Sequence, residues 1–236
     1  MSQLEVKNLS KRFGGLLANR EINIEFQKGE IVGLIGPNGA GKTTLFNCIS
    51  GTYPPTSGKI FFNGKDITGL SPEEIAKTGI ARTFQLVKVF RKMSVLENVM
   101  VGNFIKNRKL KEVQNQAKNH LEFVGLVEKM DVIAGALTLV EQRRLEIARA
   151  LAIKPELLML DEAMSGLTLT ETQEAVELIK KIHEYGITLF IVEHVMEVVM
   201  PLSHRVVVLD QGYVISDGPP QSVSKDPRVI SAYLGE

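Results

Sequence analysis

The stretch Gly36-Pro37-Asn38-Gly39-Ala40-Gly41-Lys42-Thr43-Thr44 constrains the fold more than any other part of this chain. It fits the pattern G-x-x-x-x-G-K-[ST], with Gly36, Gly41, Lys42 and Thr43 at the fixed positions. The apolar run Ile31 to Ile35 before it predicts a buried strand. Leu45 to Ile49 after it has helix-compatible spacing, with Gly51 as the stop. In a strand–loop–helix of this kind the glycines let backbone N–H groups crowd around a polyphosphate with no Cβ in the way. The helix N-terminus adds a favourable dipole for the anion. Lys42 can reach the outer phosphates, and the Thr43 hydroxyl can ligate Mg²⁺. The other reading, a glycine-rich turn with no ligand, leaves the flanking strand and helix unexplained.

The rest of the composition narrows the class. The chain has 236 residues, 44% apolar and 23% charged, the balance of a globular protein with a proper core. Its formal net charge of +1 gives no field that would argue for nucleic acid or an acidic membrane surface. The single cysteine, Cys48, forms no internal disulfide; it reads as a small core residue in a reducing compartment. No basic segment followed by an apolar one marks a secretory signal at the N-terminus. The most apolar stretch, Ile187 to Met200, is interrupted by Glu193, His194 and Glu197, so no membrane span is predicted.

Leu4 to Leu9 and Ile22 to Phe26 alternate apolar and polar, as half-buried strands of an antiparallel layer do. Lys59 to Phe62 is a short strand, and Asn63-Gly64 a hairpin turn. Ser71-Pro72-Glu73-Glu74 starts a short helix. Ile80 to Phe84 reads as a strand ending at Gln85. From Ser94 to Ala152 the texture is helical. Ser94 to Glu97 fits a capping box, and Lys106 to His120 is a polar surface helix that packs Leu110, Val113, Ala117 and Leu121. Strands return at Leu157 to Leu160, Ile187 to Val192, Arg205 to Leu209 and Tyr213 to Ile215, with a helix from Thr170 to Tyr185 ended by Gly186. This order predicts an α/β domain. A phosphate-loop core (a mostly parallel sheet with helices on both faces) is joined by an antiparallel β layer and an inserted helical sub-domain. The expected division is 1–90 and 153–236 for the core and 91–152 for the helices, in one domain over 1–236.

Ligands of open parallel sheets sit beyond the carboxyl ends of the strands. Three strands end there in polar residues: at the phosphate loop, at Asp161-Glu162 and at His194. Asp161 after four apolar residues is placed to hold Mg²⁺ directly or through water. Glu162, one residue on, can take a proton from an attacking water. His194 can contact the γ-phosphate and orient that water. Phe13 has two readings, a ring stacked on a nucleotide base or an ordinary apolar contact. His120, His183 and His204 read as structural.

On these residues the chain resembles the ATPase subunits of ATP-binding-cassette transporters over essentially its whole length. Phe13 resembles the family's adenine-stacking aromatic. Gly36 to Thr44 resembles its phosphate loop, and Leu157 to Glu162 its second nucleotide signature. His194 resembles its switch histidine. Gln85 resembles the glutamine that senses Mg²⁺ and contacts the membrane subunit. The resemblance implies ATP and Mg²⁺, with Thr43, Gln85 and Asp161 at the metal. It also implies a dimer in which each ATP lies between one phosphate loop and the partner's signature helix, here carrying Thr138. The further partners are transmembrane permease subunits and, indirectly, a solute-binding protein, which puts the chain on the cytoplasmic face of a membrane. Phe13 to Leu16, Gly79 to Gln85, Met93 to Val99 and Ala232 to Glu236 are similar to the branched-chain amino-acid uptake ATPases. Urea-uptake and lipopolysaccharide-export ATPases share parts of this pattern and stay open as alternatives.

Two departures stand out. Where the family usually has Leu-Ser-Gly-Gly-Gln, this chain has Leu137-Thr138-Leu139-Val140-Glu141. The loop after Glu162 reads Ala163 to Thr168, without the usual Pro after the Glu or the usual final Asp or Asn. Thr138-Leu139-Val140-Glu141 still fits a capping box, but Leu139 and Val140 carry side chains where glycines allow close backbone approach, and Glu141 brings a negative charge near a γ-phosphate. The first departure therefore predicts unequal ATP sites and a different cassette as partner; a regulatory subunit with one degenerate site is the alternative. A GTPase would need N-K-x-D, and Asn63-Gly64-Lys65-Asp66 has the wrong spacing. A soluble cassette protein of translation or repair usually carries tandem cassettes or long insertions, for which there is no room.

Overall fold

The computed structural model describes residues 2–104 and 109–234. Lys106 to Arg108, the start of the polar helix expected over Lys106 to His120, and the terminal Gly235 and Glu236 lie outside the described residues. The strands are β1 Ser2–Phe13, β2 Leu16–Gln27, β3 Ile31–Ile35, β4 Ser57–Phe62, β5 Lys65–Asp66, β6 Ile80–Arg82, β7 Leu157–Asp161, β8 Thr188–Val192, β9 Arg205–Asp210 and β10 Tyr213–Gly218. The helices are α1 Lys42–Ile49, α2 Pro72–Thr78, α3 Val95–Asn103, α4 Leu110–Phe123, α5 Leu139–Ala152, α6 Leu169–Glu184, α7 Met196–Leu202, α8 Pro220–Val223 and α9 Pro227–Leu234.

The strands form two sheets, a four-stranded one ordered β2-β1-β4-β5 and a six-stranded one ordered β10-β9-β3-β8-β7-β6. In the larger sheet β9, β3, β8, β7 and β6 run parallel, and β10 closes the edge antiparallel to β9. The smaller sheet is antiparallel throughout, with Leu4 opposite Phe26 and Val6 opposite Ile24.

The central strands β3, β7 and β8 are buried at every position, as strands covered on both faces must be. Side chains on them alternate between two cores. Leu157, Met159, Phe190 and Val192 pack toward the antiparallel layer and α1; Leu158, Leu160, Leu189 and Ile191 pack toward the helices. Phe190 meets Phe26 of β2 at 4.8 Å and Phe46 of α1 at 5.8 Å between ring centroids, so one side chain staples three elements. The inserted helices have no separate core: Val95, Val113, Leu121 and Leu145 belong to the same buried cluster as Leu158 and Leu189.

Two local expectations change. Leu110 is 56% exposed at the first turn of α4, one turn before the buried Val113. The strand expected over Ile80 to Phe84 stops at Arg82. Thr83 still donates its N–H to Met159 O, but its hydroxyl accepts from Asp161 N at 3.2 Å, and the chain leaves the sheet there. Among the described residues no helix is long and apolar enough to cross a membrane.

Candidate nucleotide site

The loop between β3 and α1 needs its glycines for space as well as for backbone angle. Gly36 has φ +148° and a Cβ there would lie 2.1 Å from Leu209 O; at Gly41, with φ +100°, it would lie 2.4 Å from Ala18 O. The fully buried Asn19 fixes the loop's far end, its Nδ2 donating to Gly41 O at 3.1 Å. Helix α1 starts at Gly41 with no side-chain cap and no acidic residue in its first turn. Helices α2, α3, α5 and α6 all start with a capping box and a first-turn glutamate. The N–H groups at the start of α1 are therefore left for an external anion, whereas those four helices satisfy theirs internally. Lys42 Nζ donates to Gly36 O at 2.6 Å and Pro37 O at 2.9 Å, poised inside the loop. Burial lowers the Lys42 pKa, opposed by the nearby Glu162 carboxylate.

A cleft of about 590 Å³ opens over this loop, lined by Phe13, Leu16, residues 38–44, Gln85 and Glu162 among others. Gln85 Nε2 donates to Glu162 Oε2 at 2.8 Å. Glu162 has φ +48°, a left-handed conformation that turns the chain sharply after β7. Asp161 is 3% exposed, and Arg82 Nη2 lies 3.6 Å from its Oδ2. Arg82 is itself anchored on Asn47 Oδ1 at 2.7 Å and Ser50 Oγ at 2.8 Å. Burial pushes the Asp161 pKa up to about 6; the Arg82 charge opposes the shift and Glu162 adds to it.

A match to the ABC transporter family covers residues 19–165. The chain belongs to the ABC transporter family. A second match, to the branched-chain amino acid ATP-binding cassette transporters, covers residues 214–236. The high-affinity branched-chain amino acid transport ATP-binding protein BraF of Pseudomonas aeruginosa is 43% identical over 249 residues, spanning 99% of this chain and 98% of that protein. The ADP conformation of MJ1267, an ATP-binding cassette of an ABC transporter, superposes with a TM-score of 0.90 at 31% identity over the whole of both chains. The dimeric post-hydrolysis state of the cassette MJ0796 bound to ADP and Pi gives 0.83 at 27% identity, over 92% of this chain and 98% of that one.

The cassette brings most of the sequence-predicted site together. Phe13, residues 38–44, Gln85 and Glu162 share the cleft, with Gly36 and Pro37 beneath it as acceptors for Lys42. Phe13 stands 41% exposed, edge-on to Tyr53 at 5.3 Å. His194 is exposed at the end of β8, between the phosphate-loop strand and the Asp161 strand in the sheet order, and does not line the cleft. Thr138 also lies outside the cleft, as the N-cap of α5. His183 Nε2 contacts Gly29 O at 2.8 Å, and His204 Nδ1 accepts from Ile31 N at 3.0 Å, both structural.

Sequence reasoning missed several residues here. Arg20 and Gln211 line the cleft, and Asn19 holds the loop. None carries a local motif; their position follows from Arg20 N donating to Gly212 O at 2.9 Å and Gly212 N donating to Ala40 O at 3.1 Å, across long sequence separations. Arg82, present in the sequence as part of a strand, is the cation beside Asp161.

Proposed function

We propose that this chain binds Mg-ATP in the cleft and hydrolyses it to drive uptake of branched-chain amino acids through a membrane complex. The observation that carries the reading is the uncapped start of α1 facing a carboxylate, Glu162, held by Gln85. Backbone N–H groups of the loop and the Lys42 ammonium bind the phosphates, and the ring of Phe13 supports the base. The donor set suits Mg²⁺: the Thr43 hydroxyl, the Gln85 carbonyl and the Asp161 carboxylate are hard oxygen ligands. Among the described residues no cluster of three or more His, Cys, Asp or Glu could cage a metal. That fits an ion which uses one or two carboxylates and completes its shell with phosphate and water. Bound there, Mg²⁺ would neutralise charge on the phosphates. Glu162 takes a proton from water as its oxygen attacks the γ-phosphorus; the bridging P–O bond breaks and ADP leaves. His194 orients that water once a nucleotide and a partner cassette close the site.

The full-length likeness to BraF and the match at residues 214–236 support branched-chain amino acids as the solute. The chain works on the cytoplasmic face, held by permease subunits. Exposed Leu86, Phe90, Val101 and Phe104 accompany a groove of about 450 Å³ between α2 and α5, the apolar surface such a subunit would cover. The test is reconstitution of the chain with its permease and a second cassette in vesicles. ATP-dependent uptake of leucine, isoleucine or valine, lost with Glu162→Gln, is the expected result. Uptake of urea instead, or ATP-independent uptake, would overturn it.

A further inference from the structure

Glu193 precedes His194 and is completely buried at the end of β8. Its Oε1 accepts the Met164 N–H at 2.8 Å, while its Oε2, also buried, has no hydrogen-bond partner among the described residues. A buried carboxyl with one oxygen unsatisfied is costly, and a residue that only filled space here would be apolar. The cost is incurred at one place: the turn that starts at Glu162. That turn is anchored on three sides. Glu162 N donates to Val192 O at 2.9 Å, Met164 N donates to Glu193, and Ala163 O accepts from Arg143 Nη1 at 2.7 Å. Arg143 belongs to α5, the helix whose start carries Thr138.

We propose that Glu193 is a positioning residue: its carboxyl ties the loop after Glu162 to the strand end carrying His194, and the Ala163–Arg143 bond passes that register on to α5. The base, the water-orienting histidine and the signature helix are thereby set by one clamp with two ends, Glu193 and Arg143. Neither end lines the nucleotide cleft, so the clamp acts on the chemical step and not on nucleotide affinity. The inference rests on Glu162 and His194 being the catalytic pair. Burial raises the Glu193 pKa, opposed chiefly by the Met164 N–H bond and less by Arg143, while Glu162 adds to the rise. A neutral Gln side chain, whose carbonyl oxygen can accept the same Met164 N–H, is therefore the conservative replacement.

The experiment is steady-state ATPase kinetics of the assembled complex with Glu193→Ala, Glu193→Gln, Arg143→Ala and the Glu193→Ala/Arg143→Ala double variant. Glu162→Gln is run alongside. Glu193→Ala is expected to lower kcat by about tenfold or more with KM for ATP within about twofold, and Glu193→Gln to restore most of it. Arg143→Ala is a half-buried helix-surface change that tests the other end even if Glu193→Ala fails to fold. It should lower kcat in the same way, and the double variant should lose less than the product of the single losses. Unchanged kcat in Glu193→Ala or in Arg143→Ala, multiplicative losses in the double variant, or parallel loss of ATP affinity would overturn the clamp. Full turnover in Glu162→Gln would instead remove the catalytic pair on which it rests.

Discussion

The Gln85 amide and the Glu162 carboxylate, 77 residues apart, are joined by a 2.8 Å hydrogen bond across the mouth of the cleft. The amide donates through Nε2, which leaves its carbonyl oxygen for a cation. In the proposed mechanism one side chain can thus hold the base and feel the metal together. Gln85→Glu replaces that donor with a second carboxylate, which repels the first and cannot hold it in place. Turnover of the complex should fall. Gln85→Ala, which removes the donor without adding a charge, should lower turnover less. Equal turnover by the three proteins would rule out the coupling.

Glu162→Gln keeps the side chain's shape and loses the proton acceptor. Turnover of the assembled complex should fall roughly 10²–10⁴-fold, while ATP binding measured by titration persists. Normal turnover would reject Glu162 as the base.

Lys42 does two things in the structure: it lines the cleft proposed to take the phosphates, and it ties Gly36 O and Pro37 O together. Lys42→Ala removes a charge-assisted phosphate contact worth about 1.5–3 kcal/mol, or roughly 10- to 150-fold in ATP affinity. It also unties the loop, so thermal stability without nucleotide should drop as well. Equal ATP affinities for the two proteins would remove Lys42 from the site.

What the sequence made legible was what is encoded locally. The phosphate loop, the capping residues Ser71, Ser94 and Thr138, and the buried runs of β3, β7 and β8 each carry their signal within a few residues. The parts that stayed hidden depend on long-range pairing. Arg82 looks like any strand residue until β6 pairs with β7 and brings it to Asp161. Asn19 and Arg20 reach the cleft only because the antiparallel layer folds over the loop. Glu193 read as an interruption of an apolar run, since its partner, Met164 N, lies 29 residues away. The charge of Glu141 looked bare until the structure paired it with Lys129.

The raised pKa of Asp161 makes the stability of the free chain depend on pH. In the folded state this carboxyl holds its proton up to about pH 6, against an ordinary value of 3.8. Between those values the folded chain binds more protons than the unfolded one, so this group's contribution falls as pH rises through the window. A shift of this size corresponds to about 3 kcal/mol once the window is passed. Asp161→Asn keeps the shape without the charge, so its stability advantage over the wild type should grow from pH 4 to pH 6 and then level off. Urea unfolding of both proteins without nucleotide measures this. Parallel curves across the window would show that Asp161 ionises without cost.

The signature segment predicts unequal ATP sites, and the structure changes the reason. Thr138 Oγ1 accepts from Glu141 N at 3.3 Å and Glu141 Oε2 accepts from Thr138 N at 3.0 Å, so the start of α5 is intact. The Glu141 carboxylate also pairs with Lys129, and these contacts hold its pKa below the usual range. A bare carboxylate about 6 Å from a phosphate at an effective dielectric of about 20 would be repelled by roughly 3 kcal/mol. Lys129 offsets much of that. Bulk then dominates: Leu139 is 52% exposed and Val140 is half-buried, where glycines would let a partner's phosphate approach the backbone. The chain alone should therefore hydrolyse ATP slowly, and a different cassette with an ordinary signature should activate the site built on Lys42 and Glu162. In the chain alone, Leu139→Gly with Val140→Gly should raise hydrolysis by roughly tenfold, a gain of about 1.4 kcal/mol in the transition state. Glu141→Gln should raise it less. The reverse order would return the explanation to charge, and rapid dimer-dependent hydrolysis by the unaltered chain would end the case for unequal sites.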